Sequence, residues 1–307
     1  RITGEYCYLQ SELRTNEALY PALQQISNRQ TSISDLKTSG ITYMPLYFYF
    51  HWHPSLAVPT IALFHQDVKI RVKFRPMTEI IQSWGNGVTN KDILPFVDIA
   101  AMDKIQFTPF VEYIFLDGPE RQRFRSGEQL TYLIEQTQDE HLIDNEYQAG
   151  DTYIHNMKFK QMVKELYFVS QNTANVATVS NGGNDWFNFE NTVITDNTSY
   201  QVDTCEILFD GEIKVNQDIG ENKYYQCLQP MYHHTRTPLK NIYTYSFALH
   251  PEQAQPSGSV NFSRLRSSQL RFRFVNTGAG QERDVHVHAT SMNILKIANG
   301  IAGLLFT

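Results

Sequence analysis

The chain has 307 residues, which at roughly 150 residues per domain suggests two domains. Its 26 Lys and Arg against 32 Asp and Glu leave a net charge of −6, so a partner held by bulk positive charge, such as nucleic acid, is not expected. Charged residues make up 19% and aromatics 13%, a balance that fits flat aromatic surfaces meeting partners better than a solitary, highly solvated enzyme.

The chain opens Arg1-Ile2-Thr3, with no Met and no apolar signal core, and this start is expected to be a cut or processed end or a point partway along a longer polypeptide. Residues 17–27 can form a helix if Pro21 sits in its first turn. An aromatic run at 44–50 predicts a strand. At 68–75 apolar and basic residues alternate, placing Val68, Ile70, Val72 and Phe74 on one face and Lys69, Arg71, Lys73 and Arg75 on the other. A helical turn or two is expected at 92–101, a strand at 110–116 and a domain boundary at Asp117-Gly118-Pro119, with another helical turn at 120–124. A strand at 166–169 precedes a loop at 173–199, rich in Asn, Thr, Ser and Gly and read as surface. Residues 205–209 and 212–215 flank Asp210-Gly211, the signal of a hairpin whose two-residue turn needs positive φ. Further strands are expected at 242–249, 269–274 and 284–289, the last two alternating strictly. Many strands, few helices and frequent turn signals predict antiparallel sandwiches. The most apolar stretch, 294–306, is interrupted by Lys296 and Asn299 and is too short to span a bilayer.

Candidate chemistry is thin. His51-x-His53 and His286-x-His288 each point two imidazoles to one side of a strand, as metal sites do, but no carboxylate follows at the spacing a cupin-type site uses. The simpler reading is polar strand faces at a domain or subunit contact; His233-His234, being adjacent, splays its rings. Glu112, Glu206 and Glu212 alternate with apolar neighbours as outward, solvated residues do, and are not taken as a hydrolytic pair. Ser257 lacks the flanking glycines of a nucleophile elbow, and Gly85-x-Gly87 does not continue as a phosphate loop. The basic face at 69–75 is read as a solvent or interface face. Cys7, Cys205 and Cys227 form no CxxC; reduced thiols are the simpler reading, with a Cys205–Cys227 bridge as the alternative. Asn197 and Asn261 each fit the N-glycan acceptor pattern, which is common by chance. No enzyme and no cofactor is expected. The rival reading is a carbohydrate-binding or glycoside-hydrolysing β-sandwich with Trp186 and Phe187 as a sugar-stacking platform.

Residues 243–264 carry an unusual string: Tyr243-Thr244-Tyr245-Ser246-Phe247-Ala248-Leu249, His250-Pro251-Glu252, then Gln255-Pro256-Ser257-Gly258-Ser259-Val260-Asn261-Phe262-Ser263-Arg264. It resembles the major capsid proteins of large nucleocytoplasmic DNA viruses, of the iridovirus and algal-virus kind. Segments at 44–50, 56–63, 67–70, 112–117, 120–124, 132–136, 229–230 with 233–236, and 293–300 resemble that family in the same order. The resemblance implies an all-β double jelly roll, two antiparallel sandwiches of about eight strands each. It implies homotrimers forming pseudo-hexagonal blocks that tile an icosahedral shell, with neighbouring capsomers and minor capsid and penton proteins as partners. It also implies a place in the virion shell after assembly in the host cytoplasm, and it leaves room for a viral membrane beneath.

The departures from the family are an early start, Val260 where Cys is frequent, and a loosely matching end at 301–306. Only residues 1–43 precede the segment where most of a first jelly roll is usual. The expected division is therefore 1–118 as the C-terminal part of the first jelly roll with insertions, and 119–307 as a linker turn and the second. Within the string, Pro256 fixes φ, Ser257 can cap the turn and Gly258 tolerates positive φ. Gln255, Pro256, Ser257 and Gly258 with Asn261, Phe262, Ser263 and Arg264 are thus expected to be a structural corner.

Overall fold

A computed structural model describes residues 1–27, 41–76, 79–80, 107–147, 152–176, 184–190, 200–275 and 281–306. Chain contacts divide into two units. The first holds residues 1–48, 135–177 and 185–292, and the second holds 49–134, 178–184 and 293–307.

The strands are β1 (Leu130–Tyr147), β2 (Thr152–Asn156), β3 (Met162–Asn172), β4 (Val202–Phe209), β5 (Glu212–Val215), β6 (Tyr243–Ser246), β7 (Val260–Asn261), β8 (Ser268–Phe274), β9 (Gln281–Ala298) and β10 (Ile301–Leu304). One sheet runs β1-β9-β3-β6, with β7 on β3 and β10 on β9; the other runs β2-β8-β4-β5. The ladders β3–β6, β3–β9, β2–β8, β4–β8 and β4–β5 are all antiparallel.

Local chemistry explains the clearest elements. In β8, Ser268, Leu270, Phe272 and Phe274 are buried and the residues between them are not, as the alternation requires. The β4–β5 hairpin turns through Asp210 at φ 52° and Gly211 at φ 84°, the paired positive angles of a tight hairpin turn. The Asp210 carboxylate also accepts the N–H groups of Arg266 and Ser267 at 2.7 and 2.9 Å.

The main core of the first unit lies between the sheets. Phe168 of β3 stacks on Tyr243 at 5.3 Å and meets Phe272 edge-on at 5.4 Å. The next residues along β3 face the other way: Tyr167 and Val169 join Tyr6, Tyr8, Leu9 and Leu13 of a helix, α1 (Gly4–Arg14), together with Phe189 and Ile242. Strand β3 is therefore buried on both faces, which is why Val163 to Asn172 are buried at every position.

Sequence reasoning did not find α1. Its signals are the Thr3 N-cap, whose hydroxyl accepts the Tyr6 N–H, an acidic Glu5 in the first turn, Arg14 in the last, and Tyr6, Leu9 and Leu13 on one stripe. The helix expected at 17–27 is present as a 3-10 turn (Glu17–Leu19) running into α2 (Tyr20–Ile26), with Pro21 at its start.

The second unit holds α3 (Gly118–Arg125), as expected at 120–124, and 3-10 turns at Tyr49–His51, Pro54–Leu56 and Thr60–Ala62. Its small core joins Ala62, Leu63 and Ile297 to Val58, Leu130, Tyr132 and Leu295. The strands expected at 44–50, 68–75 and 110–116 do not form. Val68, Ile70, Val72 and Phe74 are 42–57% exposed, and Phe110 and Phe115 are 82% and 89% exposed. An alternating run holds a strand only when a neighbour closes its backbone hydrogen bonds, and these runs enter no ladder. The helical turn expected at 92–101 lies outside the described residues. The loop expected at 173–199 begins with a helical turn (Thr173–Val176) and is not surface throughout, since Phe189 is fully buried.

Candidate functional site: the motif corner and the N-terminal clamp

The corner is built from β3, β6, β7 and a short helix, α4 (Gln229–His233). Gly258 sits at φ +149°, and a Cβ there would lie 2.6 Å from the Phe247 carbonyl oxygen, so the string admits only glycine at this point. The Ser257 hydroxyl accepts the His250 N–H at 2.8 Å, tying the end of the aromatic run to the turn. Asn261 pairs with Met162, and its side chain accepts the Ser263 N–H at 3.1 Å. The Phe262 N–H donates to the Gln161 carbonyl at 2.9 Å while its ring enters the core beside Phe159, Phe209 and Phe247. Gln161, itself at φ 68°, donates its N–H to the Ser263 hydroxyl at 2.8 Å. Gln255, Pro256 and Arg264 are exposed.

Two strings distant in sequence meet here. His233 donates through Nδ1 to the Leu249 carbonyl at 3.0 Å, and His234 Nδ1 lies 3.1 Å from Glu252. The Thr235 N–H and hydroxyl both donate to the same carboxylate, the hydroxyl at 2.5 Å. Burial alone would raise the Glu252 carboxyl, but the hydrogen bonds from His234 and Thr235 outweigh it and hold the group below the usual range.

Beside the corner, a buried ionic network holds the N-terminal segment. Arg236 donates its backbone N–H to the Leu13 carbonyl at the end of α1, at 2.9 Å. Its guanidinium lies 3.4 Å over the Tyr20 ring and pairs with Glu12 at 3.2 Å and Glu17 at 2.7 Å. Tyr20 closes the group by donating to Glu12 at 2.7 Å. Glu165, fully buried in β3, accepts the Tyr167 hydroxyl and lies 3.6 Å from Arg14 and 3.7 Å from His234. Lys164 pairs with Glu135. Burial alone would lower Arg14, yet the surrounding Tyr167, Glu165 and Glu135 raise it above its ordinary value. Its charge is thus permanent.

The other candidates separate. His141 and His286 stack in parallel with ring centroids 4.0 Å apart, a geometry that does not converge ring nitrogens on one ion, and no group of three metal-capable residues occurs among the described residues. His53 caps a 3-10 turn by accepting the Ser55 N–H at 3.1 Å. Glu206 is not solvated as expected: it is buried and faces Arg271, its cross-strand partner, at 3.7 Å. Glu212 is exposed and pairs with Lys214 at 2.7 Å. Cys205 and Cys227 are not joined in a disulfide, so the alternative bridge does not form. Phe187 stacks on Tyr8 of α1 at 4.5 Å, which occupies half of the platform that the sugar-binding reading needs. Gly85, Gly87 and Asn197 lie outside the described residues. The side-chain network was missed because it joins α1, which sequence reasoning did not find, to strings read separately.

Comparison with known proteins gives a consistent result. Residues 120–303 match the family model described as large eukaryotic DNA virus major capsid protein, and residues 2–117 match that of the major capsid protein N-terminus. The major capsid protein of Pyramimonas orientalis virus is 28% identical over 99% of this chain and 72% of its own length. That of Phaeocystis pouchetii virus is 26% identical over 86% of this chain and 65% of its own length, and that of Rana tigrina ranavirus 27% identical over 85% and 60%. This chain thus spans between three fifths and three quarters of the length of these three relatives. Among solved structures, PBCV-1 VP54, whose crystal structure was fitted into a cryo-EM reconstruction of the virophage Sputnik, aligns with a TM-score of 0.70 at 21% identity, covering 99% of this chain and 79% of VP54. A quasi-atomic model of the PBCV-1 virus capsid aligns with a TM-score of 0.53 at 22% identity, over 64% of this chain and 55% of the other. The fold is the all-β double jelly roll of viral capsid proteins. With a family model covering most of its length, the chain belongs to the major capsid proteins of large eukaryotic DNA viruses.

Proposed function

We propose that the protein is a structural subunit of a virion shell, working by symmetric self-association and without catalysis. It forms homotrimers that pack as pseudo-hexagonal blocks, contacts neighbouring capsomers and minor capsid and penton proteins, and is assembled in the host cytoplasm. The observation that carries this reading is the collinear match of two capsid family models to residues 2–117 and 120–303. The gap between those matches supports a division at 118/119 into a first jelly-roll portion and the linker turn with the second jelly roll.

Exposed apolar side chains point the same way. Leu228, Met231, Tyr232, Leu239 and Leu249 are 41–77% exposed in the first unit, apolar side chains that a subunit contact would cover. Trimer contacts are expected to be large and partly apolar, since a permanent assembly must outweigh the entropy of fixing its subunits. The string at 255–264 then serves as a structural corner that fixes where the chain turns between β6 and β8, with no substrate to bind.

Analytical ultracentrifugation of the full-length protein across micromolar concentrations tests the proposal. A species of three chains is expected, and a monomer throughout the range would overturn it.

A further inference from the structure

A row of histidines lies beneath α1. His286 and His288 are two residues apart on one face of β9, their rings parallel within 9° and 6.4 Å apart. His141 of β1 stacks on His286 at 4.0 Å and pairs with Asp284 at 3.5 Å. His288 is the sealed end of the row. It is 2% exposed, neither ring nitrogen has a hydrogen-bond partner among the described residues, and Tyr6 of α1 lies across it at 5.9 Å. The Tyr6 hydroxyl meets Thr290, the next residue on that face, at 3.2 Å.

We propose that α1 is an acid-released latch: protonation of His288 beneath it drives the N-terminal helix off the outer face of β3 and β9.

The groups around His288 set the sign. From α1 come Glu5 and Tyr6; from β1, Asp139 and His141; from β9, Asp284 and His286; from β3, Tyr167, directly opposite in register. Burial pushes His288 down to about 4, outweighing the upward pull of Asp139 and Glu5, while His141 adds to the depression. Tyr6 is pushed up to about 12 by burial and stays neutral. The docked helix therefore covers a neutral ring, and docked protein holds fewer protons than undocked protein. Docking is unaffected above pH 6.5, weakens as the pH falls below it, and the loss is complete near pH 4. At pH 5 these two values correspond to a roughly 30-fold rise in the undocked-to-docked ratio. Arg14 and Arg236 hold the other end of the helix through Glu165 and Glu12.

Hydrogen exchange of the α1 amides in the full chain between pH 7.5 and 5.0, corrected for intrinsic rates, is the test. Wild type should show an opening constant about 30-fold larger at pH 5.0, and His288→Gln less than about 3-fold. Unchanged protection in wild type, or an equal loss in the variant, would overturn the latch. Should His288→Gln fail to fold, the wild-type ring signals decide. A His288 that stays neutral to below about pH 5 while α1 is protected supports the latch; one that titrates near 6.5 beneath a protected helix refutes it.

Discussion

Residues 68–75 and strand β8 carry the same pattern, an apolar residue at every second position with a polar or basic one between, and they end in opposite states. In β8, Leu270 and Phe272 are completely buried and Phe274 is 3% exposed, because β2 and β4 flank the strand and the facing sheet covers it. In the second unit, Val68, Ile70, Val72 and Phe74 are roughly half exposed and enter no ladder. Alternation specifies which face a strand would bury; neighbouring strands decide whether there is a strand at all.

This contrast can be broken most sharply in the core. Phe272→Ala should cost about 3–5 kcal/mol in urea unfolding, whereas Phe74→Ala should stay within about 0.5 kcal/mol. Equal costs would mean that 68–75 is packed after all. The N-terminal clamp comes next. Arg14→Met removes the guanidinium facing buried Glu165 and should weaken docking of α1 by about 3 kcal/mol, seen as faster limited proteolysis within residues 1–27. Unaltered resistance would show that the apolar face of α1 suffices to hold it.

At the corner, Gly258→Ala should cost about 2 kcal/mol through its backbone angle and the close Phe247 carbonyl. Gly303→Ala, in β10 with open space around its Cα, should be neutral within about 0.5 kcal/mol. The smallest resolvable effect is expected at the hairpin, where Gly211→Ala at φ 84° should cost about 1 kcal/mol.

What was legible in the sequence was local or strictly periodic. Asp210-Gly211 announces its turn by chemistry alone, and β8 its buried face by period. Pro21 was compatible with a helix because it falls where no N–H is needed. The mistakes have one cause: a property of neighbours was read from a single segment. Glu206 does alternate with core residues, but Arg271 across the ladder covers it. His286 and His288 were correctly paired on one side of a strand, yet their cover is α1, nearly three hundred residues away in sequence. The corner residues were recognisable as a string. Their link through Glu252 to His234 and Thr235, and the neighbouring clamp from Arg236 to α1, depends on long-range packing that no spacing encodes.

Electron microscopy of the purified full-length protein tests self-association into a shell most directly. Uniform blocks with three-fold symmetry and a pseudo-hexagonal outline are expected. A homogeneous field of single chains, unchanged as concentration rises, would contradict the assignment as a shell subunit.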